Sequence, residues 1–139
     1  MAELRFEQVS VGDTLPELRL DPINRTTLAY FAGASGDDNP IHIDIDFARH
    51  AGMADVFAHG MLGMAYLARL LTNWMPQSAL RSFGVRFMSI THLGNQPVLT
   101  AKVVEKLEEE GEKRARLEVQ MADQYGEVKI LGSALVALS

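Results

Sequence analysis

The longest apolar stretch of the chain runs from about residue 59 to residue 75 and reads Met61, Leu62, Met64, Ala65, Leu67, Ala68, Leu70, Leu71 and Trp74, with Pro76 closing it. The helix this predicts is apolar on most sides, and such a helix needs protein around it. Its few polar residues, Arg69, Thr72 and Asn73, lie toward the C-terminal half, which puts that end near the surface and encloses the start. Upstream, the apolar residues of 6–20 are spaced irregularly around Gly12-Asp13 and Pro16, as suits a lead-in turn and a short edge strand. After Pro22, Thr26 or Thr27 is placed to cap a short helix whose face carries Leu28, Phe31 and Ala32, with Gly36 ending it. Asp44 opens another short helix through Phe47, Ala48 and Ala51, with Gly52 as its terminator.

Beyond the long helix the period changes to two. Phe83, Val85 and Phe87 alternate with Gly84, Arg86 and Met88, and after a Gly94-Asn95 turn residues 98–104 form a second run. Glu108-Glu109-Glu110-Gly111-Glu112 reads as a solvated hairpin tip. Ala115, Leu117, Val119 and Met121 then alternate with Arg114, Arg116, Glu118 and Gln120, a strand with one wet face. Past a Tyr125-Gly126 turn, residues 127–138 carry Val128, Ile130, Ala134, Val136 and Leu138 on one side and Leu131, Leu135 and Ala137 on the other, so this strand is central or covered. Helices followed by hairpin-linked strands mean an α+β fold rather than alternating βαβ units. No repeat, linker or low-complexity segment interrupts the pattern.

A length of 139 residues with 47% hydrophobic composition suits one globular domain with its own core, spanning 1–139. The net charge of -5 argues against a general binder of nucleic acid or of anionic membranes, which needs clustered basic residues. The absence of cysteine removes disulfides, thiolate catalysis and cysteine-ligated zinc. Met1-Ala2-Glu3-Leu4-Arg5 has no basic region leading into an apolar run, and no apolar stretch reaches the roughly 18 to 20 residues of a membrane span. The expectation is a soluble, unexported, cytoplasmic protein.

The chemistry concentrates in Ser35-Gly36-Asp37-Asp38-Asn39-Pro40-Ile41-His42. Asp37 and His42 stand five positions apart, a spacing that suits neither one helical face nor one side of a strand. Gly36 can end a helix and Pro40 turns Asn39 away from the helical region, so the chain bends here and can aim both groups at one point. An acid and an imidazole converging on one water or substrate atom are what general acid/base chemistry requires. The competing reading is that Asp37 and Asn39 make Asx turns and His42 is a surface or capping residue. Gly60, at the start of the long helix, offers either a free N–H to a developing oxyanion or merely room for tight packing. His42, His50, His59 and His92 lack a compact ligand pattern, so no metal site is expected. Ser35 and Ser89 stand in no nucleophile-elbow sequence. Arg86, between apolar Val85 and Phe87, is read as a phosphate contact or as an ordinary surface ion pair.

Gly36-Asp37-x-Asn39-Pro40-x-His42, followed by Phe47-Ala48 and then by Ala58-His59-Gly60-Met61, resembles the signature of the MaoC-like, or R-specific enoyl-thioester hydratase, family. Phe6-x-x-Val9-x-Val11-Gly12-Asp13 and Val85-Arg86-Phe87 extend the resemblance over nearly the whole chain. It implies a hot-dog fold, an antiparallel sheet wrapped around one long helix. It further implies that Asp37 and His42 add water across a trans-2-enoyl thioester, or remove it from an R-3-hydroxyacyl thioester, while the Gly60 N–H takes the oxyanion and Asn39 orients the dyad or the substrate. The acyl chain would lie against Met61, Leu62, Met64 and Ala65, unless these are plain core. Coenzyme A or an acyl-carrier group would belong to the substrate, with no separate cofactor. Two protomers commonly pair in this family, so a homodimer is expected, with a heterodimer as the variant. A hot-dog acyl thioesterase and a noncatalytic acyl-thioester binding subunit are the competing functions.

Overall fold

The alternating half of the chain becomes one antiparallel sheet. In the computed structural model, which describes residues 4–139, β1 (Leu18–Arg19), β2 (Leu80–Phe87), β3 (Val98–Glu109), β4 (Glu112–Ala122) and β5 (Val128–Ala137) lie in the order β1-β3-β4-β5-β2. Met1, Ala2 and Glu3, part of the stretch read for an export signal, lie outside the described residues. The last strand is interior as expected, flanked by β4 and β2, and it buries Ile130, Ala134, Leu135 and Val136. The β3–β4 hairpin is tighter than the acidic run suggested. Glu108 and Glu109 are already paired with Lys113 and Glu112, and only Glu110 and Gly111 turn, both at positive φ (53° and 74°), the backbone a two-residue hairpin loop needs. Arg114, expected on a wet face, is buried instead, because it bonds Glu109 and Glu112 at 3.1 and 2.8 Å and so keeps its charge paired.

Three α-helices precede or cross this sheet: α1 (Arg25–Ser35), α2 (Ile45–His50) and α3 (Gly60–Thr72). The cap of α1 is Asn24, not Thr26 or Thr27. Asn24 stays extended and its side chain accepts the Thr27 N–H at 2.9 Å, which draws both threonines into the first turn. Gly36 ends the helix in the left-handed region (φ 78°), and Asp44 caps α2 through the Asp46 and Phe47 N–H groups. The long helix stops at Thr72; Asn73, Trp74 and Met75 continue as turns, with the Met75 N–H still bonded to the Leu71 carbonyl.

Leu67, Leu70 and Leu71 of α3 pack into the inner face of the sheet against Leu99, Val103, Leu117, Ile130 and Val136, the hot-dog arrangement that the resemblance implied. Truncating a fully buried leucine such as Leu67 costs about 2–5 kcal/mol, so this contact dominates the fold. The sheet covers one side of the helix only. Met61 is 53% exposed and Ala65 is also exposed, while Met64 and Ala68 are half-buried. The start of α3 is therefore not enclosed within the chain, contrary to expectation; the all-round apolar pattern ends as a buried face plus a bare stripe.

Ile23, Leu28, Ala48, Val56, Ala58 and Leu62 form a second, smaller core beneath α1 and α2, which holds the 36–42 bend against the start of α3. Lys129, on β5, is 2% exposed and donates to the Ile90 carbonyl at 2.8 Å and to Glu127 at 3.1 Å, with Asp123 3.7 Å away. It anchors the segment between β2 and β3 that borders the cavity described next. Among the described residues, no helix is long and apolar enough to cross a membrane.

Candidate active site

The bend after α1 is built from short-range hydrogen bonds that its polar residues dictate. Ser35 Oγ accepts the Asp37 N–H at 3.1 Å, Asp37 Oδ1 accepts the Asn39 N–H at 3.3 Å, and Asn39 Oδ1 accepts the Ile41 N–H at 3.1 Å. These are Asx-turn contacts, so the structural reading of Asp37 and Asn39 is correct as far as it goes. It does not exhaust Asp37, whose Oδ2 receives no hydrogen bond among the described residues. The side chain of Asn39 shapes the turn.

His42 closes the one-turn 3₁₀ segment Pro40–His42 and is nearly buried. Its Nδ1 lies 2.7 Å from the Phe57 carbonyl, and since a carbonyl only accepts, the proton sits on Nδ1 and Nε2 carries a lone pair. Phe57 also meets the ring edge-on, with centroids 5.1 Å apart. The other face stacks on His59, centroids 4.1 Å apart and planes 27° apart.

His59 stands in the Ala58-His59-Gly60-Met61 stretch and among the histidines weighed as metal ligands, and the sequence assigns it no role in the chemistry. It immediately precedes α3, is 2% exposed, and donates from Nε2 to the Asp37 carbonyl at 3.0 Å. Burial pushes its pKa below the ordinary histidine value, and the nearby His42 acts in the same direction against the opposing pull of Asp37. It is therefore neutral near pH 7. Its place in the Ala58-His59-Gly60-Met61 stretch, directly before Gly60, was the signal the sequence offered.

A carboxylate oxygen of Asp37 and one ring nitrogen each of His42 and His59 lie within 4.8 Å of one another. The statement that the histidines lack a compact pattern thus holds along the sequence and fails in space, although His50 and His92 stay outside the cluster. The donor geometry nonetheless suits a metal poorly. Nδ1 of His42 and Nε2 of His59 are committed to carbonyls, and stacked rings send their in-plane lone pairs side by side rather than toward one ion at about 2.0–2.2 Å. The separation instead leaves room for a bridging water.

Gly60 is the first residue of α3, and its N–H has no acceptor among the described residues. It borders an apolar cavity of about 520 Å³ that Asp37 and His59 also line and that runs inward past Tyr66 to Met121 and Ile130. Burial raises the Tyr66 pKa, so its phenol stays protonated. Of the two methionines predicted to line an acyl site, Met61 borders this cavity. Met64 does not; it faces, with Ala65, Ala68 and Phe83, a shallower groove of about 470 Å³ on the outer side of α3 that also reaches Asp37. Positions 61 and 64 share one face of the helix, and Met61 lines that groove as well, so it stands between the groove and the cavity. Arg86 is not brought to the site. It alternates with Val85 and so faces the opposite side of the sheet, in a groove with Lys102, Glu118 and Gln120, and it forms no ion pair among the described residues.

A family model described as "MaoC like domain" matches residues 7–124. The chain is 31% identical over 88 residues to the mitochondrial 3-hydroxyacyl-[acyl-carrier-protein] dehydratase of Arabidopsis thaliana, covering 63% of this chain and 52% of that one. It is 33% identical over 109 residues to the 3-oxo-4,17-pregnadiene-20-carboxyl-CoA hydratase beta subunit of Mycobacterium tuberculosis, covering 68% and 82%. The unliganded R-hydratase PhaJ1 of Pseudomonas aeruginosa superposes with a TM-score of 0.85 at 26% identity, over 99% of this chain and 87% of the other. The chain spans about half the length of the plant relative, and 4% of the fatty acid synthase subunit beta of Saccharomyces cerevisiae that it also matches.

Proposed function

The chain belongs to the MaoC-like hydratase and dehydratase family, and we propose that it catalyses the reversible, R-specific hydration of trans-2-enoyl thioesters with Asp37 and His42 as its acid/base pair. The observation that carries this reading is the convergence of the Asp37 carboxylate and His42 within 4.8 Å, near the Gly60 N–H, which has no acceptor among the described residues and borders an apolar cavity.

A water held between the Asp37 carboxylate and Nε2 of His42 attacks C3 of the enoyl group. The Nε2 lone pair takes the water's proton, the C2–C3 double-bond electrons move toward the thioester carbonyl, and the Gly60 N–H receives the negative charge on its oxygen. Collapse of that enolate draws a proton from the dyad onto C2. Hydroxide has gone to C3 and a proton to C2, so the reaction balances without a cofactor; elimination from the R-3-hydroxyacyl thioester is the same path reversed. Asn39 keeps the bend in shape, through its N–H to Asp37 and its side chain to Ile41.

The relatives named above act on thioesters of coenzyme A and of acyl-carrier protein, and both remain within the proposed substrate class. The acyl chain lies along Met61 and Leu62 toward Met121; Met64 borders the outer groove that also reaches Asp37, and Arg86 lies on the opposite face of the sheet. We propose further that two copies pair. The bare stripe of Met61 and Ala65 and the outer edge of β2, whose other edge alone is paired with β5, are surfaces that a second copy would cover. A noncatalytic subunit needs neither dyad member, and both converge here, which favours the catalytic reading.

The deciding experiment follows loss of conjugated absorbance with trans-2-enoyl-CoA substrates of graded chain length, beside a thiol reagent and beside Asp37→Asn and His42→Ala. The expected result is loss of conjugation without thiol release, an R-3-hydroxy product, and near silence in both variants. Thiol release would make it a thioesterase; acyl-CoA binding with no reaction would make it a binding subunit.

A further inference from the structure

The groups assigned to the reaction come from separate segments, Asp37 after α1, His42 in the turn before α2 and Gly60 on α3, and one side chain touches all three neighbourhoods. His59 donates its Nε2–H to the Asp37 carbonyl, stacks its face on His42 and precedes Gly60 in the chain. We propose that His59 is a positioning residue of this site: its imidazole fastens the Asp37 bend to the oxyanion end of α3 and fixes the plane of the His42 ring. The proposal rests on the hydratase reading above for its catalytic consequence, not for its geometry.

The side chain is not spent on the helix. Asn24 and Asp44 cap α1 and α2 with their side-chain oxygens, whereas His59, in the corresponding position of α3, makes no side-chain cap bond. Nor is it merely filler. Its Nδ1 is buried with no hydrogen-bond partner among the described residues, a desolvation cost that an apolar ring in the same space would not incur. What the imidazole supplies in return is the Nε2–H bond to Asp37. With Ser35 Oγ accepting the Asp37 N–H, that bond holds the Asp37 backbone at both ends, so the carboxylate swings from a fixed base. The edge of Phe31, centroids 4.9 Å away, holds the His59 ring from the side of α1.

The two imidazoles are thus set in opposite tautomers by two carbonyls, Phe57 for His42 and Asp37 for His59. A neutral His59 places no like charge against the His42 ring stacked on it. Burial keeps His59 in that state.

The test uses the whole chain with His59→Phe, which keeps a flat ring and loses the donor, and His59→Gln, whose amide N–H can reach the same carbonyl. Steady-state kinetics on trans-2-butenoyl-CoA should show kcat reduced about tenfold to a hundredfold in His59→Phe with KM within about twofold, the pattern of a displaced catalytic group. His59→Gln should recover most of that loss. A folded His59→Phe with wild-type kcat, or a His59→Gln no better than His59→Phe, overturns the proposal. Ring-nitrogen NMR of the substrate-free protein separates this from failure of the hydratase reading. The expected wild-type protons are on Nε2 of His59 and Nδ1 of His42, with the His42 ring resonances displaced in His59→Gln, which removes the stacked ring, and close to their wild-type positions in His59→Phe, which keeps one. A proton on Nδ1 of His59, or His42 ring resonances unchanged in His59→Gln, rejects the positioning role whatever the substrate proves to be. Wild-type inactivity with the expected tautomers and the expected His42 response rejects the hydratase assignment alone.

Discussion

The ring of Phe87 lies over Gly60 so closely that a Cβ at position 60 would stand 2.9 Å from its Cε1 and 3.0 Å from its Cδ1. The end of β2 thereby sets the space above the first N–H of α3. The two readings of Gly60, packing and oxyanion contact, are compatible here: the missing side chain admits Phe87 while the N–H has no acceptor among the described residues.

Gly60→Ala should therefore fold and displace the ring rather than the helix, because Phe87 is 54% exposed and can swing away. The added methyl narrows the cavity mouth, and one methyl group in a substrate pocket is worth about tenfold or more in kcat/KM. Gly60→Ala with Phe87→Ala should regain much of that loss. A double variant no faster than Gly60→Ala on an enoyl-CoA would separate the Phe87 contact from the chemistry.

Asp37→Asn and His42→Ala should each lower kcat by about 10² to 10⁴-fold, the range for a positioned acid or base. In the proposed mechanism the two act on one water, so their losses should not multiply, and the double variant should be about as slow as the slower single one. Rates from all three, with thermal midpoints to establish folding, decide this. Multiplying losses would mean two independent contributions rather than one dyad.

Local chemistry was legible in the sequence wherever a residue acts on its own neighbours. Gly36 ends α1 and Asp44 caps α2 as their types require, and the bend that Gly36 and Pro40 enforce does bring Asp37 toward His42. The cap of α1 was misplaced by a few residues because Asn, Thr and Thr all qualify chemically and only the backbone at Asn24 decides. What remained hidden depends on contacts distant in sequence. His59 finds the Asp37 carbonyl across 22 positions, and Lys129 finds that of Ile90 across 39. A lone charge in an apolar strand gives no hint of its partner. The bare stripe on α3 has a different cause: periodicity reports that a face is apolar, not whether its own chain covers it.

Lys129 sits with its charge answered by Glu127 and Asp123 and its remaining donor on the Ile90 carbonyl. Lys129→Met leaves the 5% exposed Asp123 side chain without its cation and releases the segment bordering the cavity. Breaking one partner of a buried pair costs about 3–5 kcal/mol, so urea unfolding should show a loss of that order. KM for an enoyl-CoA should rise as well, since Ser89, Ile90 and Thr91 wall the cavity. A variant as stable as the wild type would show that Asp123 takes up a proton or finds water instead.

Acid should weaken the fold in two separate windows, and one side chain in each can be tested by substitution. Burial, aided by the nearby His42, depresses the His59 pKa below its ordinary 6.5, so on acidification the unfolded chain takes up a proton there before the folded one does. Its contribution is complete above pH 6.5 and is lost as pH falls toward the lower folded value. Glu112 behaves alike at lower pH. Arg81, and then Arg114, hydrogen-bond its carboxylate and bring it from an ordinary 4.5 to about 2, so its contribution is complete above pH 4.5 and fades as pH approaches 2. Thermal midpoints of the wild type, His59→Gln and Glu112→Gln at pH 7.5, 5 and 3 separate the two windows. Between pH 7.5 and 5 the wild type should lose more stability than His59→Gln does, while the deficit of Glu112→Gln stays constant. Between pH 5 and 3 the deficit of Glu112→Gln should shrink. Parallel curves for all three proteins would place the acid sensitivity on other groups and remove both assignments.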